Sequence, residues 1–238
     1  DGYTLLIHSS GHVVNPAIYP NMPYDTLKDF DGITPLASLP NVLVVAPGKE
    51  FKDVKDLVAK VSAKPDAFNY ASAGNGSATH MNAEKFRLAA GFKAQHVPFR
   101  GTPEAMTETI AGRTDWFFAP LVSSLPLIKD GRLQALAVGT AVRSPLLPGV
   151  PTIVEAGYPD AAYTFWVGLF ATAKTPKPIV EKLHAEVLKV LAMPEVREKL
   201  EKLGATPMTL PQAAFEKYLD DETGAAAKLV KAAGIRVD

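Results

Sequence analysis

Between residues 68 and 139 the chain alternates short apolar runs with amphipathic stretches closed by glycine, and this alternation leaves few folds open. The runs at 68–72, 95–99, 115–119 and 133–139 read as strands. The stretches at 78–90 and 103–111 read as helices ended by Gly91 and Gly112, and 125–129 as at most a short helix. Strand and helix in turn imply a mostly parallel, helix-covered α/β sheet.

The flanks have a different texture. A short apolar strand at 3–7 ends in the loop Ser9-Ser10-Gly11, after which Pro16, Pro20 and Pro23 forbid long regular structure. Residues 33–46 read as two short strands with a bend, interrupted by Pro35 and Pro40, and Val54, Leu57, Val58 and Val61 fall at helical spacing. Residues 163–171 are strand-like and aromatic. Beyond Thr175-Pro176, which reads as a cap followed by a first-turn proline, the chain is almost all helical, with a last stripe through Phe215, Leu219, Ala226 and Val230. Neither flank has enough strands to stand alone, so the two are expected to join. Lobe 1 would be 1–67 with 164–238, and lobe 2, 68–163, would be inserted into it. Two crossing segments, near Ala67 and Tyr163, would then form a hinge around a cleft. Open α/β sheets bind ligands beyond the carboxyl ends of their strands.

Composition narrows function by exclusion. Lys plus Arg and Asp plus Glu each total 25, so the formal net charge is zero, with no basic run to make a nucleic-acid footprint. There is no cysteine, which removes disulfides, thiol chemistry and thiolate zinc sites. No stretch approaches the roughly 18 apolar residues of a membrane span. His8 and His12 are four apart, but Ser9 stands where the zinc-protease motif has Glu, so no metal is expected. No cofactor fingerprint is present either, because Gly74 and Gly76 are followed by Thr79 where a dinucleotide site needs its third glycine. Gly74–Ala78 does not match the nucleophile elbow of a serine hydrolase, and no motif pairs two carboxylates, so an enzyme is not expected.

The informative segment is Ala71-Ser72-Ala73-Gly74-Asn75-Gly76-Ser77-Ala78-Thr79-His80, which follows a strand and opens a helix. Two glycines allow close backbone approach, Ser77 can cap, and the first-turn N–H groups with the helix dipole suit an anion. Phe99-Arg100-Gly101-Thr102-Pro103 repeats the logic, with Thr102 as cap and Arg100 as a rim charge. Ser9, Gly11 and His12 would face the ligand from the other lobe. Asp115 is the one acid beside a middle-lobe strand, and Phe165 and Trp166 could wall the cleft. Each has an ordinary alternative: a plain glycine turn, a solvated arginine, or core packing for the histidines and aromatics.

These segments resemble the periplasmic solute-binding proteins of tripartite tricarboxylate transporters, also called Bug proteins. The resemblance runs from Ala71–His80 through His96-Val97-Pro98-Phe99-Arg100-Gly101 and Gly131-Arg132-Leu133-Gln134-Ala135-Leu136-Ala137-Val138. It continues through Leu147-Pro148-Gly149-Val150-Pro151-Thr152 to Ala233-Gly234-Ile235. It implies a type II periplasmic-binding fold and a receptor for small carboxylates that delivers them to membrane permease subunits. A sensor for a signalling partner, or a non-binding remnant, are the alternative roles. The resemblance also implies two further βα units and a signal peptide upstream of Asp1. A lobe short of those strands would expose a sheet edge and apolar helix faces through which it would self-associate.

Overall fold

The computed structural model describes residues 2–236. In chain order the elements are β1 (Leu5–Ser9), α1 (Gly11–Ile18), β2 (Phe30–Leu39), β3 (Asn41–Val45), α2 (Val54–Ala63), β4 (Asn69–Ser72), α3 (Ala78–Ala90) and β5 (Gln95–Pro98). They continue with α4 (Thr102–Ile110), β6 (Trp116–Pro120), α5 (Leu121–Lys129), β7 (Gln134–Val138), β8 (Phe165–Thr172), α6 (Lys177–Ala192), α7 (Pro194–Lys202), β9 (Thr206–Pro207) and α8 (Gln212–Ala233). They form two compact units. The first joins the residues up to Ser38 with those from Phe165 onward, and the second runs from Leu39 to Thr164.

The second unit is a five-stranded sheet in the order β5-β4-β6-β3-β7. β4 is parallel to β5 and β6, whereas β3 runs antiparallel to both β6 and β7. The sheet is therefore mixed. Its centre is buried on both faces, and alternate residues serve opposite layers. Leu43, Val45, Tyr70, Trp116 and Phe118 pack with Leu57 and Val61 of α2 and Phe86 of α3. Val42, Val44, Ala71, Phe117 and Ala119 pack with Ala105 and Met106 of α4 and Leu121 of α5. This double burial corrects the expected boundary at residue 67. The run at 41–45 is apolar because it fills a slot between β6 and β7, so it and α2 belong to the second unit. The crossing falls between Ser38 and Leu39, next to the Pro40 that separates β2 from β3.

The first unit has a four-stranded sheet in the order β1-β8-β2-β9. The pairs β1–β8 and β2–β9 are antiparallel, which corrects the mostly parallel expectation for this lobe. β8 and β9 come from the returning chain and pair directly with the early strands. The loop expected at Ser9–Gly11 also changes. β1 extends to Ser9, and Gly11 opens α1, which carries Pro16 in its interior. Pro16 has no N–H for the His12 carbonyl four residues earlier, and the Thr26 hydroxyl donates to that carbonyl instead, at 3.4 Å. Thr175 does not cap α6; Pro176 holds the cap position, and the Thr175 hydroxyl lies 3.1 Å from that of Thr172. Among the described residues, no helix is long and apolar enough to cross a membrane.

Phe215 of α8 is fully buried against Val13, Trp166, Phe170 and Leu219. Two glycines make room for it. A Cβ on Gly168 would lie 2.9 Å from the Phe215 ring, and one on Gly32 would lie 2.8 Å from it. Gly168→Ala should therefore lower stability by about 1–3 kcal/mol through overpacking, despite the better strand propensity of alanine. Adding Phe215→Leu should recover part of that loss. Urea unfolding of the single and double variants measures both effects, and a Gly168→Ala protein as stable as the parent would contradict the close contact.

Candidate functional site

Within the second unit, Ser72 ends β4 opposite Pro98 at the end of β5. The loops that follow leave the same sheet edge side by side. The Phe99 N–H donates to the Ser72 carbonyl at 3.0 Å, and a Cβ on Gly74 would stand 3.3 Å from the Phe99 carbonyl oxygen. The expected residues Ser72, Gly74, Asn75 and Ser77 thus lie beside the loop that carries Arg100, Gly101 and Thr102.

The 73–77 loop is tied inward by its own hydroxyls. The Ala73 N–H donates to Thr79 Oγ1 at 2.9 Å, and the Gly74 N–H to Ser72 Oγ at 3.1 Å. The Ser77 hydroxyl donates to the Gly74 carbonyl at 2.7 Å and caps α3 by accepting from the His80 N–H at 3.3 Å. Gly74 and Gly76 have φ of 119° and 72°, a region that costs a side-chain-bearing residue strain. With these bonds made, the N–H groups of Asn75, Ala78 and Thr79 have no acceptor among the described residues. They stand at the start of a helix of 13 residues with no acidic residue in its first turn. Such a group of donors, with the dipole behind it, suits a carboxylate.

The neighbouring helix start differs. Gly101, not Thr102, is the cap of α4, and no side chain caps it. Glu104 occupies its first turn and accepts from the Arg100 N–H at 3.0 Å. A carboxylate of the protein already serves this terminus, while the Arg100 side chain is exposed.

His80 is 2% exposed, so it lies under the loop and not on its face. Its Nδ1 accepts from the Gly76 N–H at 3.1 Å, which places the ring proton on Nε2. His96 of β5 stacks on it with centroids 3.7 Å apart and planes 6° apart, and His96 Nε2 is 2.6 Å from Ser72 Oγ. Tyr70 continues the stack, 5.0 Å from His96 and 4.6 Å from Trp116. Burial, with a smaller push from Arg87, lowers the His80 pKa to about 4; burial, then the neighbouring His80, lowers that of His96 to about 3. Both rings are neutral at neutral pH. The Tyr70 hydroxyl donates to Glu84, which also binds Arg87 at 2.6 Å.

The other expected site residues fall elsewhere. Asp115 precedes β6 at the amino-terminal edge of the sheet. There it pairs with Lys49 at 2.7 Å and accepts from the Asn69 N–H at 2.8 Å. Asn69 and Ser72 are opposite ends of β4, so Asp115 is a structural ion pair about 10 Å of strand away from the glycine loop. In the first unit, Ser9 accepts from the Gly11 N–H at 3.4 Å, and Ser9 and Phe165 are half-buried at strand ends. His12 is core, 4.6 Å from Phe170 and 5.3 Å from Phe30, and burial, then His8, lowers its pKa to about 4. Trp166 is core as well, edge-on to Phe215 at 5.8 Å.

Sequence reasoning assigned no separate role to Thr79 or His96. The Thr79 role has a local signal, a hydroxyl in the first turn of a helix after a glycine loop. That of His96 does not, because it depends on the β4–β5 register that sets it beside Tyr70. Among the described residues, no group of three His, Asp or Glu side chains is placed to hold a metal.

Comparison with known proteins matches this architecture. A family model described as "Tripartite tricarboxylate transporter family receptor" matches residues 1–235. A protein from the tcbD-tcbE intergenic region of Pseudomonas sp. (strain P51) is 39% identical over 205 residues, covering 86% of this chain and 61% of the relative. The chain thus spans less than two thirds of that relative's length. Two solved structures from Rhodopseudomonas palustris are similar. Rpa4515, described with adipate, is 31% identical with a TM-score of 0.93 and covers 100% of this chain and 80% of its own. MatC, described with bound malate, is 30% identical with a TM-score of 0.86 and covers 97% of this chain and 80% of its own. The mixed α/β sheets in two units and the match over nearly the whole sequence agree: this chain belongs to the tripartite tricarboxylate transporter family of solute receptors.

Proposed function

We propose that the protein is a periplasmic receptor for a small organic acid, which it passes to the membrane permease subunits of a tripartite transporter. The role is binding without turnover. One observation carries the reading at the level of chemistry. The N–H groups of Asn75, Ala78 and Thr79 at the start of α3 have no acceptor among the described residues, and the first turn of that helix has no acidic residue. Hydrogen bonds from backbone N–H to a charged carboxylate are stronger than neutral ones. The relatives described with adipate and malate, at 31% and 30% identity, support a dicarboxylate as the solute class.

In this reading Gly74, Asn75 and Ser77 shape the carboxylate pocket of the second unit, and Gly101 lines its rim. Ser72 acts through Gly74, to which it is bonded.

A thermal-shift screen with adipate, malate and other small acids tests the function. An acid that binds only the folded chain raises stability by RT ln(1 + [L]/Kd), so its shift should grow with concentration. A chain stabilised by none of them would overturn the reading.

Gly74→Val tests the loop. A branched side chain there must adopt φ near 119° and press on the Phe99 carbonyl. It should abolish acid binding in calorimetry while circular dichroism reports a folded, less stable protein. A folded variant that keeps the parent affinity would move the carboxylate away from this loop. Ser77→Ala should cost about 0.5–2 kcal/mol of stability through the lost cap, read by urea unfolding.

A further inference from the structure

The glycine loop is held from below by two imidazoles that the binding reading does not use. His80 Nδ1 accepts the Gly76 N–H at 3.1 Å, and His96 Nε2 lies 2.6 Å from the Ser72 hydroxyl that accepts the Gly74 N–H at 3.1 Å. Each glycine at positive φ is therefore fixed through one histidine, directly for Gly76 and by way of Ser72 for Gly74. The rings stack on one another at 3.7 Å, and Tyr70 and Trp116 continue the stack into the core. A loop with two glycines would otherwise sample many conformations. Anchoring both on a rigid aromatic column selects the one that leaves the Asn75, Ala78 and Thr79 N–H groups free together.

The geometry points to His80 and His96 as positioning residues that keep the loop in its anion-binding form without touching the solute. This rests in part on the receptor reading, because only a ligand gives the loop conformation a purpose.

The inference has a pH signature. Gly76 can only donate, so its bond needs an unprotonated His80 Nδ1. A proton there would set N–H against N–H and place a cation on the face of a second imidazole. The titratable and charged groups facing the pair are Tyr70 from β4 and Glu84 and Arg87 from α3; β6 contributes only Trp116. Burial holds the folded-state pKa of His80 at about 4, below the ordinary value of 6.5. As pH falls through that window, the unfolded chain takes up protons that the folded chain refuses. Stability from this source is complete above about 6.5 and is lost towards 4. The loop should release Gly76 near the lower limit.

Nuclear magnetic resonance on the solute-free chain tests this directly. A scalar coupling across the Gly76 N–H···Nδ1 His80 bond is expected at neutral pH, and the Gly76 amide shift should move with a midpoint near pH 4. His80→Asn presents an amide oxygen near the Nδ1 position and cannot titrate in this range. It should keep the loop shifts of the parent and remove that midpoint. His80→Leu should shift the Gly74 and Gly76 amides at all pH values, and His96→Leu should shift mainly Gly74. With adipate as probe, His80→Leu should bind roughly tenfold more weakly, the scale of one lost hydrogen bond, and His80→Asn should bind like the parent. A folded His80→Leu protein with unmoved loop amides and parent affinity would overturn the inference. If the parent binds neither adipate nor any other acid, the receptor reading fails on its own, and the amide measurements still decide the role of the histidines.

Discussion

Burial of the central strands on both faces is the constraint from which the second unit follows. β3 and β6 have no exposed residue, and their side chains alternate between two helical layers. With both faces closed, a polar group can reach solvent from this sheet only at its two edges. The amino-terminal edge closes on itself through Asp115, Lys49 and Asn69. The carboxyl edge carries the turns after β4 and β5, and there the chain leaves backbone donors unpaired. The position of the candidate site is thus a consequence of how the core is sealed.

The column Trp116–Tyr70–His96–His80 links that core to the loop. Tyr70 and Trp116 point into the layer shared with Phe86 and Phe118, while the two histidines bring nitrogen atoms to the underside of the turn. Aromatic stacking supplies the rigidity, and the ring nitrogens supply directed acceptors. A loop that must be open to solvent on one side is ordered from the other. The Tyr70 hydroxyl, bound to a carboxylate that Arg87 also holds, closes the buried end of the arrangement.

Local patterning made most elements legible. The helix at 78–90 with Gly91 behind it, the strand and glycine loop before it, and the helical carboxyl-terminal third all follow from period, caps and breakers. What stayed hidden depends on partners distant in sequence. The 41–45 run is apolar for a reason found in β6 and β7, so nothing near it shows which unit it joins. Pro16 reads as a bar to a helix because the Thr26 hydroxyl that takes up the freed His12 carbonyl lies beyond the turn. Asp115 looked available because Lys49, its counter-ion, comes from a segment assigned to the other lobe. His12, expected at the ligand, and Trp166, expected as a wall of the cleft, are both buried in the core of the first unit.

The crossing next to Pro40 also has a kinetic meaning. All of the second unit lies between Ser38 and Phe165, so the strand pairings of that unit join segments of one continuous stretch. The first unit instead has to pair Leu5 with Ala171 and Ala37 with Pro207, across the full length of the inserted one. Closing so long a loop is an entropic cost while the insert is an unfolded coil, and a smaller one once it is compact and its ends are fixed. Loop-closure entropy therefore favours condensation of the insert ahead of the pairing of β1 with β8 and of β2 with β9.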